Sequence, residues 1–264
     1  MQANGIITLT TDFGEADYML PRLKGALLCA QATQLVDITH QVEAYNIVQG
    51  AFVFKNCWTA FPKGSIHLIS INDFYGPQPR FVAMEHQGHF FLGPDNGVFS
   101  LIFEPLPVAY ELAPDPKSDF PLLSTYSEAV RRLVAGVPIE ELGPAIKEST
   151  QRLSLRPVTF KDRIRGTVMH VDRYENVITN ITYELFERIG QGRDFALFFK
   201  RNAPIEVLSQ QYHDQPIGEP LCLFNASGYL ELAINMGKAA SLLGLKVEDT
   251  VQIDFETASS SANQ

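Results

Sequence analysis

Carboxylates and amides recur in this 264-residue chain where runs of apolar and β-branched residues give out. Asp12 closes one run in TDFG with Asp17 shortly after, Asp37 lies in DITH, Asn72 and Asp73 in SIND, and Asp95 and Asn96 in GPDNG. A carboxylate accepts two hydrogen bonds at once and an amide both donates and accepts, so such groups can grip a small molecule bearing hydroxyls or an ammonium. A second group lies far along the chain: Asp172, Tyr174 and Asn176 within VDRYENVITN, then Asn225 and Ser227 within FNASGYLELAIN. Asp, Asn and Gly also make turns for conformational reasons alone, so no single one of them identifies a site. Together they mark the ends of predicted strands, where open α/β sheets bind ligands.

The elements that must carry these groups follow from periodicity. GIITLTTDFG reads as a strand delivering a carboxylate to a loop, Tyr18 to Ala32 as a helix and QLVDITH as a second strand, which together suggest a right-handed parallel crossover. Ile47 to Phe61 is a helical segment closed by Pro62-Lys63-Gly64, SIHLISIND is a strand, RFVAMEH and HFFLGPDNG are strands separated by a Gly turn, and Val98 to Phe103 is apolar. From Lys117 to Lys147 the chain turns helical, with a stop at Gly-Val-Pro between Ala135 and Ile139. After Leu155-Arg156-Pro157 come short alternating runs, the texture of a small β-barrel or sandwich. The reading is an α/β domain with a central, mostly parallel sheet over residues 1–152, a smaller β domain over 153–264, and a polar tail that frays from about 256.

Composition narrows the partners. Lys plus Arg number 21 against 30 Asp plus Glu, for a net charge of −9, the wrong sign for gripping a phosphate backbone, so no nucleic-acid partner is expected. The longest apolar runs fall short of the roughly 18 residues a spanning helix needs, and MQANGIITLTTDFG lacks a signal-peptide pattern, so a cytoplasmic protein without a membrane partner is expected. Cys29, Cys57 and Cys222 are odd in number and set in apolar stretches; they read as small buried hydrophobes, with no metal site. His67, His86 and His89 lie on or beside predicted strands and read as structural, whereas His40 in the DITH loop stays a candidate for proton chemistry.

TDFG, DITHQVEAYNIVQGAFVF, GPDNG, VDRYENVITNI and NASGYLELAINMGKAASLLGLKVEDTV, in this order over residues 5 to about 254, resemble the S-adenosylmethionine hydroxide adenosyltransferase family, relatives of the fluorinase and chlorinase enzymes. The resemblance implies an α/β domain, a C-terminal β-barrel, and a homotrimer whose nucleoside ligand lies between the N-terminal domain of one subunit and the C-terminal domain of the next. It implies no cofactor, S-adenosylmethionine being the substrate or ligand. It assigns Asp12 to the ribose diol, Asp17 and Asp172 to the methionine ammonium, and Tyr45 to the sugar. Tyr174 stands for a Phe lying against adenine, Asn176 reads the adenine edge, and Asn225, Ala226 and Ser227 surround the methionine carboxylate.

The family's reaction is displacement at the ribose 5′ carbon. Methionine leaves as a neutral thioether, so no general acid is needed, and the site must align a nucleophile about 3 Å from carbon. The hydrolase branch is thought to hold water with an Asp, an Arg and a His. Ungapped alignment puts Asn72, Pro79 and Pro121 at those three positions, while the second Arg of the family pair survives as Arg80. Asp73 and Arg80 keep the spacing of the Asp-Arg pair, so a one-residue bulge would restore two groups. Asn72, Asp73 and Arg80 are therefore the catalytic candidates. Halogenation fits poorly, since the halide-pocket positions fall on Tyr75 and Leu122. The resemblance thus implies hydrolysis of S-adenosylmethionine to adenosine and methionine; the alternatives are a binding trimer that has lost the chemistry and an enzyme acting on another adenosyl compound.

Overall fold

The computed structural model describes residues 3–114, 120–153 and 156–256. The tail expected to fray therefore lies outside the described residues from 257 onward, as do residues 117–119 of the stretch expected to be helical. The chain divides into two units, Met1–Leu153 and Ser154–Gln264.

The first unit runs β1 (Ile6–Thr11), α1 (Met19–Cys29), β2 (Gln34–Thr39), α2 (Ile47–Lys55), β3 (Ile66–Ser70), β4 (Phe81–His86), β5 (His89–Pro94), α3 (Val98–Ile102), β6 (Ala109–Leu112) and α4 (Pro121–Val134). Its sheet has the order β2-β1-β3-β5-β4-β6. It is a mixed sheet: β2, β1, β3 and β5 pair in parallel, while β4 is antiparallel to both β5 and β6. The reversal comes from a two-residue turn, Gln87 and Gly88, both at positive φ, the geometry that matches the twist of a tight hairpin. The chain leaves β1 toward β2 on one side and returns to β3 on the other, so the crevice beyond β1 and β3 is the point where the winding reverses.

Alternation along the strands builds two cores. Ile7, Leu9, Leu68 and Leu92 face α1 and α4, whereas Ile69 and Phe91 face α2 and α3 with Phe54, Trp58 and Phe99. In α4, Leu122, Tyr126, Val130 and Leu133 recur at helical spacing on the buried side, and Pro121 opens the helix where its missing N–H costs nothing. The helix ends at Val134, before Gly136 and Pro138, so the helical reading through Lys147 is too long; Ala145 instead forms a bridge beside Tyr110. Cys29 is exposed, Cys57 half-buried and only Cys222 fully buried. The expectation of three buried thiols fails at Cys29 because α1 buries Leu20, Leu23 and Leu27, a stripe that position 29 does not join.

The second unit runs β7 (Val158–Thr159), β8 (Arg163–Val171), β9 (Val177–Thr182), α5 (Tyr183–Gly190), β10 (Phe195–Phe199), β11 (Pro220–Phe224), β12 (Tyr229–Ile234), α6 (Ala239–Leu243) and β13 (Thr250–Phe255). Its antiparallel order is β10-β13-β8-β9-β12-β11, with β7 beside β8. The sheet curls into a half-barrel around Ile164, Val168, Leu197, Leu230, Leu232 and Ile253, and α5 adds Phe186. Of the β-barrel expected it forms a half: β10 and β11 do not pair, and the gap is spanned by single bridges, Leu197 to Ile205 and Leu208 to Cys222. Among the described residues, no helix is long and apolar enough to cross a membrane.

Candidate active site

Asp12 follows the last residue of β1 and is fixed by the loops leaving β2 and β3. Its Oδ2 accepts from the backbone N–H of Tyr45 at 2.9 Å and of Asn72 at 3.2 Å. Both donors sit in the left-handed region, at φ +69° and +51°. That conformation costs a Tyr on the order of 1 kcal/mol and aims both N–H groups at one oxygen. The Asn72 loop is pinned from behind by Asn96, whose amide donates to the carbonyls of Ile71 at 2.8 Å and Asn72 at 3.1 Å. Oδ1 of Asp12 has no hydrogen-bond partner among the described residues. A carboxylate held by one oxygen, with the other open at the winding reversal, suits a donor-rich ligand such as a diol. Tyr45 is 73% exposed, and Tyr18, Phe74 and Tyr75 are exposed too. Asp17 is exposed in the loop before α1 and accepts from the N–H of Tyr18 at 2.5 Å.

Asp73 lies beside Asn72 in sequence but points inward. It is 5% exposed, and its two oxygens accept from Ser70 Oγ and from the Tyr126 hydroxyl, each at 2.6 Å. Burial pushes its carboxyl up to about 7, against the two hydrogen bonds, and the charge of Asp12 adds to the rise. Arg80 is engaged elsewhere: Nε and NH2 both donate to Asp95 Oδ2, and NH2 also reaches the carbonyl of Glu148 at 3.0 Å. Asp95 Oδ1 accepts from the N–H of Thr150 at 2.9 Å. Asp73 and Arg80 are therefore partnered by different residues. Leu122, at a halide-pocket position, is buried in α4, and the exposed Tyr75 has the Arg152 guanidinium 5.0 Å from its ring centroid. His40 is buried, with Nδ1 2.9 Å from Thr11 Oγ1 and Nε2 3.0 Å from Asp37 Oδ1, and so ties the ends of β1 and β2.

In the second unit the polar turns gather at neighbouring hairpins. Asp172 Oδ1 accepts from the N–H of Tyr174 and of Asn176, both at 2.8 Å, and Oδ2 accepts from the Asn176 amide at 3.1 Å. Asn176 is buried, Tyr174 is 77% exposed, and Glu175 between them takes φ +64°. In the turn from β11 to β12, Asn225 Oδ1 accepts from the N–H of Ser227 at 3.0 Å and of Tyr229 at 3.2 Å. The Asn225 amide donates to Glu231, a carboxylate 3% exposed that also accepts from the Tyr212 hydroxyl at 2.8 Å. Burial raises the Glu231 carboxyl, and the charge of Asp172 adds to it, so the two turns share one electrostatic environment.

Sequence reasoning missed Glu231, Tyr212, Ser70 and Tyr126. Glu231 left a signal, since a lone carboxylate sits between Leu230 and Leu232 in a strand buried on both faces. Tyr126 left little, because an apolar stripe accepts Tyr as readily as Phe.

Residues 7–143 match the SAM hydroxide adenosyltransferase N-terminal domain, and residues 166–252 match its C-terminal domain. The chain is 26% identical to an (R)-S-adenosyl-L-methionine hydrolase of Methanocaldococcus jannaschii, over 95% of this chain and 96% of that one. It is 27% identical to one of Salinispora tropica, over 94% and 97%. A fluorinase of Actinopolyspora mzabensis is 23% identical over 94% and 96%. Among solved structures, an uncharacterized conserved protein from Thermotoga maritima superposes with a TM-score of 0.83 at 24% identity, covering 94% of this chain and 99% of that one, a likeness of fold.

Proposed function

Because the chain belongs to the SAM hydroxide adenosyltransferase family, we propose that it binds S-adenosylmethionine and hydrolyses it to adenosine and methionine. The observation that carries this reading is Asp12, clamped through one oxygen by two left-handed residues and open at the other where the winding of the sheet reverses. Asp12 takes the ribose diol with Tyr45 against the sugar, and Asp17 faces the methionine ammonium. Asp172, Tyr174 and Asn176 of a neighbouring copy in a cytoplasmic homotrimer supply the second acid and the adenine contacts, and Asn225 and Ser227 the carboxylate contacts.

Water attacks the 5′ carbon as the carbon–sulfur bond breaks. The bonding pair goes to sulfur, which leaves uncharged, and the attacking water loses its second proton to solvent, leaving the 5′-hydroxyl of adenosine. Asn72 lies beside Asp12 and is the candidate to orient that water through its side-chain amide. Asp73 and Arg80 act indirectly: Asp73 holds the Asn72 loop through Ser70 and Tyr126, and Arg80 fixes the loop after β5 through Asp95. The sealed Asp73 and the engaged Arg80 equally favour a second reading, a trimer that binds the nucleoside without turning it over.

Incubating the purified protein with S-adenosylmethionine, separating products by chromatography and measuring binding heat decides between them. Adenosine and methionine in equal amounts, lost in Asp12→Asn, support hydrolysis. Heat without adenosine selects the binding module, and neither heat nor product overturns both.

A further inference from the structure

At the opposite ends of the same strands, where β3 and β5 begin, the first unit carries a concavity of about 530 Å³ walled by Trp58 and Phe61 and lined by Lys63, Gln87 and His89. Its volume lies within the range of small-molecule sites. Strands of five or six residues separate it from Asp12 by roughly 15–20 Å. Nothing in the proposed reaction uses it.

Its polar wall is the end of a buried relay. Thr8 Oγ1 lies 2.7 Å from His67 Nδ1, and His67 Nε2 lies 3.0 Å from His89 Nδ1. Burial, with the charge of any protonated His89 adding to it, brings the His67 imidazole down to about 3, so that ring is neutral. The His89 imidazole is lowered by burial and then by the Lys63 ammonium, which places a cation beside it. Two neutral rings in series have one free choice, the direction in which their protons point. Thr8 is fully buried, and its hydroxyl has no other acceptor among the described residues. Were Thr8 to accept, its own hydrogen would be stranded in the core, so Thr8 donates to His67 Nδ1. His67 Nε2–H then donates to His89 Nδ1, and the remaining proton of His89 sits on Nε2. His89 is only 4% exposed, and it belongs to the lining of the concavity.

An imidazole whose protons the relay orders, a neighbouring ammonium and two aromatic side chains, with no carboxylate among the lining residues, call for one kind of occupant. We propose that this concavity is a second ligand site, taking a planar aromatic ring that carries an oxyanion, with the anion between Lys63 and His89 and the ring against Trp58 and Phe61.

Trp58 is the sole tryptophan of the chain, so its emission reports occupancy without labelling. Titration of the full-length protein with sodium benzoate is expected to change that emission saturably. Benzamide, which lacks the charge, and cyclohexanecarboxylate, which lacks the flat ring, should each bind at least about tenfold more weakly, as should benzoate to Lys63→Gln. Asp12→Asn should bind benzoate like the parent, which separates this site from the nucleoside site. Absence of any saturable change up to about 10 mM benzoate, or equal affinity in Lys63→Gln, overturns the proposal.

Discussion

Asp73→Asn offers a quantitative trial of the buried carboxyl beneath the Asn72 loop. With both oxygens capped by hydroxyls and only 5% of the residue exposed, the carboxyl is moved from 3.8 to about 7 in the folded chain. Between those two pH values the folded chain holds a proton that the unfolded chain has released. Stability therefore falls as pH rises from about 4 to about 7, and the loss is complete above that, at on the order of 4 kcal/mol. Asn has no such titration, and the Ser70 and Tyr126 hydroxyls can turn so that one accepts from its amide. Asp73→Asn should thus match the parent near pH 4 and exceed it progressively toward pH 8. Urea unfolding followed by Trp58 emission reads the first unit alone and gives the difference at each pH. Parallel pH profiles for the two proteins would refute the reasoning, because they would mean that Asp73 ionises in the folded chain as easily as in water.

Asp12→Asn should weaken nucleoside binding about 10- to 100-fold, by loss of charge-assisted bonds to the diol, with calorimetry as the measure. Arg80→Ala leaves Asp95, whose side chain is 3% exposed, without its cation; discounting for the partly exposed Arg80, it should cost about 2 kcal/mol in urea unfolding while product formation per folded molecule holds. A selective loss of turnover at unchanged stability would instead make Arg80 part of the chemistry. Glu231→Leu strands the Tyr212 hydroxyl and the Asn225 amide and should destabilise the second unit by about 1–3 kcal/mol, with Glu231→Gln milder, as read by hydrogen exchange in the turn from β11 to β12.

What periodicity exposes is what alternation or amphipathicity repeats over several residues. β1, α1, β2, α2 and the β4–β5 hairpin were legible as short β-branched or apolar runs and helically spaced apolar residues bounded by turn formers. β6 has four residues behind a proline, and α5 interrupts a β-rich region with a single eight-residue helix, so neither rises above its surroundings. The open half-barrel was illegible because single-residue bridges have no pattern. Among the candidate residues, Asp12 and Asn176 were legible as strand-end groups, but the burial of the Asp73 carboxyl was not. Asn72 takes φ +51° just past the end of β3, so the chain has left the strand geometry on which any inward or outward reading depends.

The bridges from Ile205 and Leu208 to β10 and β11 also occupy part of the two open edges of the second sheet. Phe198 and Val207 are exposed there, and a long unpaired edge beside them would be a template for runaway strand addition. By occupying part of both edges with its own backbone, the connecting segment limits that route to aggregation. In the first unit the outer strand β2 is guarded differently, by the Asp37 and Lys24 ion pair on its flank. Both devices work against open-ended strand addition at the edges of the two sheets.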